Sequence, residues 1–365
     1  MRYFSINRRW QKRLYFAWGL LLAILMVILW RQVLASKPSP LPSADSVQVS
    51  LVNEPIQPIP VHIDLNEKKV LLGEKLFRDV RLSGNKKVAC ISCHGFDTGG
   101  VDRKVRSLGV NDQLTLVNTP TVFNSGFNFK LNWDGRHDNL LSHVDGALLN
   151  PIKMGGKWEE IIPMLQNSPD YTKAFAKAYP NGITKDNVRD AIATFEQSLY
   201  TPNSRFDQFL RGNSNALTQE EKQGYNLFKD YGCVNCHQGI NVGANMFQKF
   251  GIMGDYFADR EASLLAKRDT VASRENPGKI TKADWGRFNV TGQEQDRYVF
   301  RVPSLRNVEL TSPYFHDGTA ATLEQAIGVM AEYQLGRPLT SEQTNLIIQF
   351  LKTLTGDYQQ KPLTH

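Results

Sequence analysis

The sequence predicts an all-α fold made of two similar domains behind an N-terminal membrane helix. Three observations predict the two domains. Apolar residues recur at helical spacing, as in Val188, Ile192, Phe195 and Leu199 and again in Leu346, Ile347, Phe350, Leu351 and Leu354, with no sustained period-two alternation. A Cys-x-x-Cys-His motif occurs twice, as Cys90-Ile91-Ser92-Cys93-His94 and Cys233-Val234-Asn235-Cys236-His237, and uses all 4 cysteines. Each motif follows a related apolar stretch, Leu72-Gly73-Glu74-Lys75-Leu76-Phe77 before the first and Gln223-Gly224-Tyr225-Asn226-Leu227-Phe228 before the second.

Cys-x-x-Cys-His is the attachment pattern of c-type haem, in which both thiols bond the porphyrin and the adjacent histidine ligates iron. Two Cys-x-x-Cys pairs could instead offer four thiolates to zinc. The long separation of the pairs and the histidine after each weigh toward haem. The chain then has two cytochrome c-type domains with one covalent haem c each, and takes much of its core from porphyrin.

The N-terminus comes first in chain order. Residues 1–37 hold Arg2, Arg8, Arg9, Lys12, Arg13, Arg31 and Lys37 with no Asp or Glu, so the net charge of +7 belongs there and the remainder is formally neutral. Such a distribution speaks for membrane topology and against nucleic acid. Phe16 to Leu29 is an uncharged apolar run behind basic residues. Residues 1–35 are expected to be a cytoplasmic basic tip and membrane anchor, which places the chain in a bacterial inner membrane as a single-pass protein with a periplasmic globular part. Val33-Leu34-Ala35 also resembles a cleavage site, which would leave a soluble periplasmic form. Residues 36–63, with Pro38, Pro40, Pro42, Pro55, Pro58 and Pro60, read as an extended linker.

Residues 64–200 are expected to form the N-terminal domain and 201–365 the C-terminal domain. Asp64 with Glu67, Thr218 with Glu221, Thr322 with Gln325 and Thr340 with Gln343 are candidate capping boxes that start helices. Asn241 to Thr291 is rich in Gly and polar residues and reads as a long loop.

Further motifs follow a recognisable order: Asn118-Thr119-Pro120-Thr121, Trp133-Asp134-Gly135-Arg136, Gly286-Arg287-Phe288, Arg301-Val302-Pro303-Ser304-Leu305-Arg306-Asn307 and Pro313-Tyr314-Phe315-His316-Asp317-Gly318. Together with the two haem motifs this order resembles the bacterial di-haem cytochrome c peroxidases and their MauG-type relatives over nearly all of the globular part. The resemblance implies a peroxidatic haem in the N-terminal domain and an electron-transfer haem in the C-terminal one. It implies Met330 as the axial thioether opposite His237, which raises the potential and excludes peroxide; a packing methionine is the alternative. It implies hydrogen bonding around the second haem for His316 and an electron-relay role for Trp133. It also implies a calcium ion between the domains, held by the side-chain oxygen of Asn118 and the carbonyls of Thr311 and Pro313.

The first haem departs from the family. Residues 103–118, where many members carry a removable histidine ligand, contain none. The family's distal glutamine and glutamate fall on His143 and Lys153 in an ungapped match from Trp133. A protonated lysine cannot accept a proton from peroxide, whereas an imidazole can. His143 is therefore expected as the acid–base group, with Lys153 as a cation that polarises the O–O bond. Coordination of the first iron by His143, or a surface position for it, stays open. His137 reads as a turn residue.

The function implied is reduction of hydrogen peroxide to water, with electrons from a small cytochrome c, a cupredoxin or a quinol. The inner membrane and a second copy of the chain are the other expected partners. The alternatives are a MauG-like oxidase that modifies Trp or Tyr of a partner protein, and a non-enzymatic di-haem relay.

Overall fold

Apolar residues at three- and four-residue spacing need a partner surface, and in this chain the helices supply it in crossed pairs. The computed structural model describes residues 54–267 and 279–364, all of them within one compact unit. The first part contains α1 (Glu67–Phe77), the cysteine turn α2 (Cys90–Cys93), α3 (Leu140–Leu148), α4 (Trp158–Gln166), α5 (Pro169–Ala178) and α6 (Lys185–Ser198). The second contains α7 (Arg205–Leu210), α8 (Gln219–Asp230), α9 (Tyr256–Lys267), α10 (Phe288–Thr291), α11 (Leu323–Tyr333) and α12 (Ser341–Lys352). The expectation of a mostly helical chain is met.

α1 crosses α6, with Leu72, Leu76 and Phe77 packed among Val188, Ile192 and Phe195. At the crossing, a Cβ on Gly73 would overlap the Ala191 carbonyl and lie 2.6 Å from Phe195 Cβ, so the close approach requires glycine. α8 crosses α12 in the same manner: a Cβ on Gly224 would overlap the Leu346 carbonyl and lie 3.0 Å from Phe350 Cβ. Around that crossing, Phe206, Tyr225, Phe228 and Phe350 pack with ring centroids 4.8–5.2 Å apart. The repeated apolar stretches of the sequence are thus a repeated helix crossing.

Thr218, Thr322 and Thr340 cap α8, α11 and α12 as expected. The first cap is corrected: Asn66, not Asp64, accepts from the Lys69 N–H at 3.2 Å and α1 begins at Glu67. Asn241 to Thr291 is not simply a loop. It holds β1 (Phe247–Lys249), α9 and α10, and β1 pairs antiparallel with β2 (Val299–Arg301), Phe247 opposite Arg301. A second short pair joins β3 (Asp357–Tyr358) and β4 (Lys361–Pro362). The start of α9 is fixed by Asp255, whose carboxylate accepts from the Ala258 N–H at 3.1 Å, and by burial of Tyr256 and Phe257 against Phe300.

The expected single-pass placement in the inner membrane is corrected. Among the described residues no helix is long and apolar enough to cross a membrane. The longest, α6, has 14 residues; at 1.5 Å per residue it reaches about 21 Å, short of a ~30 Å hydrocarbon core. Residues 1–35, on which the anchor expectation rested, lie outside the described residues.

The expected linker is docked from residue 54 onward, where Ile56 and Ile59 are buried. Arg306 fastens it. Its guanidinium donates to the Gln57 carbonyl (2.9 Å) and the Ile240 carbonyl (2.9 Å) and pairs with Asp207 (2.8 Å), both side chains being fully buried. Removing one member of such a pair leaves an uncompensated charge in the interior. Arg306→Met should therefore lower unfolding stability by roughly 3–5 kcal/mol, measured by denaturant unfolding of the holoprotein. A loss under about 1 kcal/mol would show that the pair is dispensable.

Two candidate haem sites and the residues between them

In the first site the Cys90–Cys93 turn closes with the His94 N–H on the Cys90 carbonyl (3.0 Å), while Ser92 Oγ accepts from the Ala89 N–H (3.0 Å). His94 Nδ1 donates to the Gly100 carbonyl at 3.1 Å, which leaves Nε2 with the lone pair a metal needs. Burial pushes the His94 pKa down to about 4, so the ring is neutral. The second site repeats this design. His237 Nδ1 donates to the Val242 carbonyl at 3.2 Å, and burial again pushes the pKa down to about 4. Burial also raises the thiols of Cys90, Cys93 and Cys233, the last to about 11. Two separate turns do not suit a shared zinc site, and no group of metal-ligating side chains among the described residues contains a cysteine.

Beside His94 opens a cavity of about 800 Å³ whose walls include Cys90, Cys93, Trp133, His143 and Lys153. Its size and its convergent thiols and imidazole fit a haem held by Cys90, Cys93 and His94. His143 stands on α3, whose N-terminus is capped by Asn139. Lys153 follows in a turn fixed by Asn150 Oδ1, which accepts from the Lys153 N–H at 3.2 Å. The histidine-free segment 103–118 closes over this turn, with the Val110 N–H donating to the Lys153 carbonyl (2.9 Å). Burial, then the positive charge of Lys153, holds the His143 pKa well below its ordinary value, so this imidazole is neutral. Burial, then Arg136, lowers the Lys153 pKa. The structure thus brings His143 and Lys153 to the same cavity as the first cysteine turn.

Three residues on this wall carry no expectation of a place in the first site from the sequence. His137 does sit at a turn, its carbonyl accepting from the Leu131 N–H (2.9 Å), but its ring lies 5.7 Å from that of His143 at 79°. Arg301, from β2, is buried; its Nε donates to the Asn132 carbonyl (3.1 Å) and burial lowers its pKa to about 10. It offers the cavity a cation of the kind a haem carboxylate takes. Glu196 is buried with Oε2 unpartnered, and burial raises its pKa to about 8. Its signal was available, since Glu196 sits four residues after Ile192 on the apolar stripe of α6.

Between the two turns, Trp133 Nε1 donates to the Asn118 carbonyl (2.9 Å), and the Asn118 N–H donates to the His316 carbonyl (2.7 Å). The Trp133 and His316 rings meet edge to face with centroids 6.3 Å apart. His316 Nε2 donates to Asp284 Oδ1 (2.8 Å), on which Arg260 also closes (2.9 Å), and Arg260 pairs in turn with Asp317. Asp284, His316 and Asp317 are close enough to hold an ion, but the Arg260 guanidinium already answers both carboxylates. Asn118 Nδ2 donates to the Lys104 carbonyl (2.9 Å), which turns the amide oxygen away from that contact. Thr311 caps the short turn before Pro313, its hydroxyl donating to the Val308 carbonyl (3.1 Å). Met330 lies half-buried on α11, beside Val329, which packs on Tyr256, Phe257 and Phe300.

Comparison with known proteins agrees with this geometry. Residues 67–215 match the family model described as di-haem cytochrome c peroxidase. The cytochrome c551 peroxidase of Nitrosomonas europaea is 42% identical over 313 residues, covering 86% of this chain and 87% of that protein. The chain belongs to the di-haem cytochrome c peroxidase family. The cytochrome c peroxidase Ccp of Escherichia coli is 44% identical over 84% of this chain, which spans 62% of that protein's length. A crystal structure of a MauG-like protein associated with microbial copper homeostasis superposes with a TM-score of 0.69 at 27% identity, covering 88% of this chain and 96% of the other. The expectations of this family and of a peroxidase-type oxidoreductase are both met, and the family implies two haem c groups.

Burial alone would raise the Asp284 pKa. The hydrogen bonds from His316 and the Thr281 backbone and the charge of Arg260 outweigh it and hold the carboxyl at about 2, below its ordinary 3.8. A depressed pKa stabilises the fold above the unfolded value and loses that contribution as pH falls through the folded one. Asp284 should contribute on the order of 2 kcal/mol that vanishes between pH 4 and pH 2. In Asp284→Asn, denaturant unfolding should vary less steeply with pH across that window. An equally steep slope would remove Asp284 as the titrating group.

Proposed function

We propose that this chain reduces hydrogen peroxide to water at the Cys90-Cys93-His94 site, with electrons entering at the Cys233-Cys236-His237 site. The donor would be a small cytochrome c, a cupredoxin or a quinol. The observation that carries this reading is the cavity beside His94, whose wall holds His143 and Lys153 together with the two thiols. Haem bound through those thiols and His94 would supply iron able to exchange electrons with peroxide.

The remaining tasks fall to side chains. Reduction consumes one peroxide, two electrons and two protons and yields two waters. His143, being neutral, takes the proton from the oxygen that binds and returns it to the oxygen that leaves. Lys153 places positive charge where the leaving oxygen gathers negative charge. Trp133, fixed through its N–H to Asn118, relays electrons between the two sites. Met330 is the residue that would hold the second haem together with His237, and a thioether there would supply a raised potential and leave no place for peroxide. His316 is assigned to the surroundings of the second haem, and Asn118, Thr311 and Pro313 to the oxygens of a calcium site. The working division remains 64–200 for the peroxidatic part and 201–365 for the electron-entry part. A second reading, an oxidase acting on Trp or Tyr of a partner protein, is favoured by a lysine at 153 where the family places a carboxylate.

Steady-state turnover with peroxide and reduced cytochrome c tests the main reading. His143→Ala should slow it roughly 10²- to 10⁴-fold while leaving the resting spectrum of the first haem unchanged. Conversion of a low-spin to a high-spin spectrum would instead make His143 a ligand and end its role as base. Absence of turnover in the unsubstituted protein, with a cross-linked or hydroxylated partner trapped, would favour the oxidase. For the second site, Met330→His should lower the midpoint potential in a redox titration. An unchanged potential would leave Met330 as packing only.

A further inference from the structure

Two protons must reach a cavity whose acid–base group is itself half-buried, and Lys153 cannot supply them in turn while it must stay cationic. The wall offers one other imidazole. The His137 ring stands 5.7 Å from the His143 ring, nearly perpendicular to it, and lines the same cavity. His137 is itself half-buried and its neighbours Arg136 and Asp138 are exposed, so this part of the wall reaches solvent.

The slot that holds this ring is built into α3. A Cβ on Gly146, one turn after His143, would overlap His137 Nε2 and Cε1. Glycine inside a helix costs about 1 kcal/mol relative to alanine, so its presence here needs a packing reason. Room for the imidazole is that reason. On the other side, the backbone bridge between Leu131 and His137 fixes where the side chain leaves the chain.

We propose that His137 is the outer member of a two-imidazole relay that passes protons from solvent to His143. A neutral imidazole takes a proton on one ring nitrogen and releases another from its second nitrogen, so no charge accumulates on the pair after transfer. Two such transfers match the two protons consumed per peroxide, and no oxidant or reductant beyond those of the main reaction is involved. Burial, then the charges of Lys153 and Arg136, keeps His137 below its ordinary pKa, in keeping with a neutral ring at rest. The inference rests on the assignment of His143 as the acid–base group.

Two substitutions in the holoprotein test it. His137→Gln removes the relay nitrogen, and Gly146→Ala displaces the ring without altering any titratable group while favouring the helix. Two rates are measured at the reduction level that reacts with peroxide: peroxide consumption, and association of cyanide, which must shed a proton to bind. The resting spectrum is the third readout. Both variants should slow both rates about tenfold or more, toward the lower end of what loss of a general base costs, with the spectrum unchanged. Normal rates in both variants beside a slow His143→Ala would overturn the relay and leave the His143 assignment standing. Normal rates in His143→Ala would overturn both. A changed resting spectrum in His137→Gln would also overturn the relay, since His137 would then act on haem ligation.

Discussion

Both helix crossings bring main chain against main chain, where α1 meets the Ala191 carbonyl at Gly73 and α8 meets the Leu346 carbonyl at Gly224. Each crossing fixes the helix that leads toward a cysteine turn, and it does so with no side chain to adjust. The distance between a haem's attachment point and the core helix behind it is therefore set by van der Waals contact of main chain, which is stiff. The ligand histidines inherit this stiffness. Each ring is steered by one hydrogen bond to a carbonyl of its own following loop, Gly100 for His94 and Val242 for His237.

The charged groups of the wall facing His94 are unevenly matched. Lys153, Lys282, Arg136 and Arg301 supply cations, two imidazoles are held neutral, and Asp134 and Asp145 are spent on Arg136 and Arg189. Glu196 is protonated at neutral pH by burial. Such a wall favours negative charge wherever it develops, which is what breakage of an O–O bond requires of its surroundings. The carboxyl groups of this wall are either paired with an arginine or protonated.

Much of the architecture was legible in the chain. The 3.6-residue periodicity of Val188 to Leu199 and Leu346 to Leu354 marked the partner helices, and the threonine caps marked three helix starts. The haem turns were legible because covalent attachment demands fixed residue types at fixed spacing. α9 was hidden because its flanks are rich in Gly and polar residues and its cap, Asp255, precedes aromatic rather than aliphatic residues. His137 was hidden for a different reason: its place depends on a glycine nine positions later, a relation that no helical or strand period expresses. Asp284 and Arg260 meet His316 across long separations in sequence, so that network exists only in the folded chain.

Arg301 and Phe300 reach the wall of the first cavity from β2, well inside the part of the chain that carries the other haem motif. Trp133 binds back in the opposite sense, its carbonyl accepting the Arg301 N–H at 2.8 Å. The first pocket is thus a shared property of both halves, although its cysteines and histidines all come from one. A segment ending near residue 200, transplanted into a foreign protein, would carry the whole first haem motif yet lack one side of its own chamber. Modular exchange between relatives is constrained accordingly: the unit that can be inherited whole is the pair.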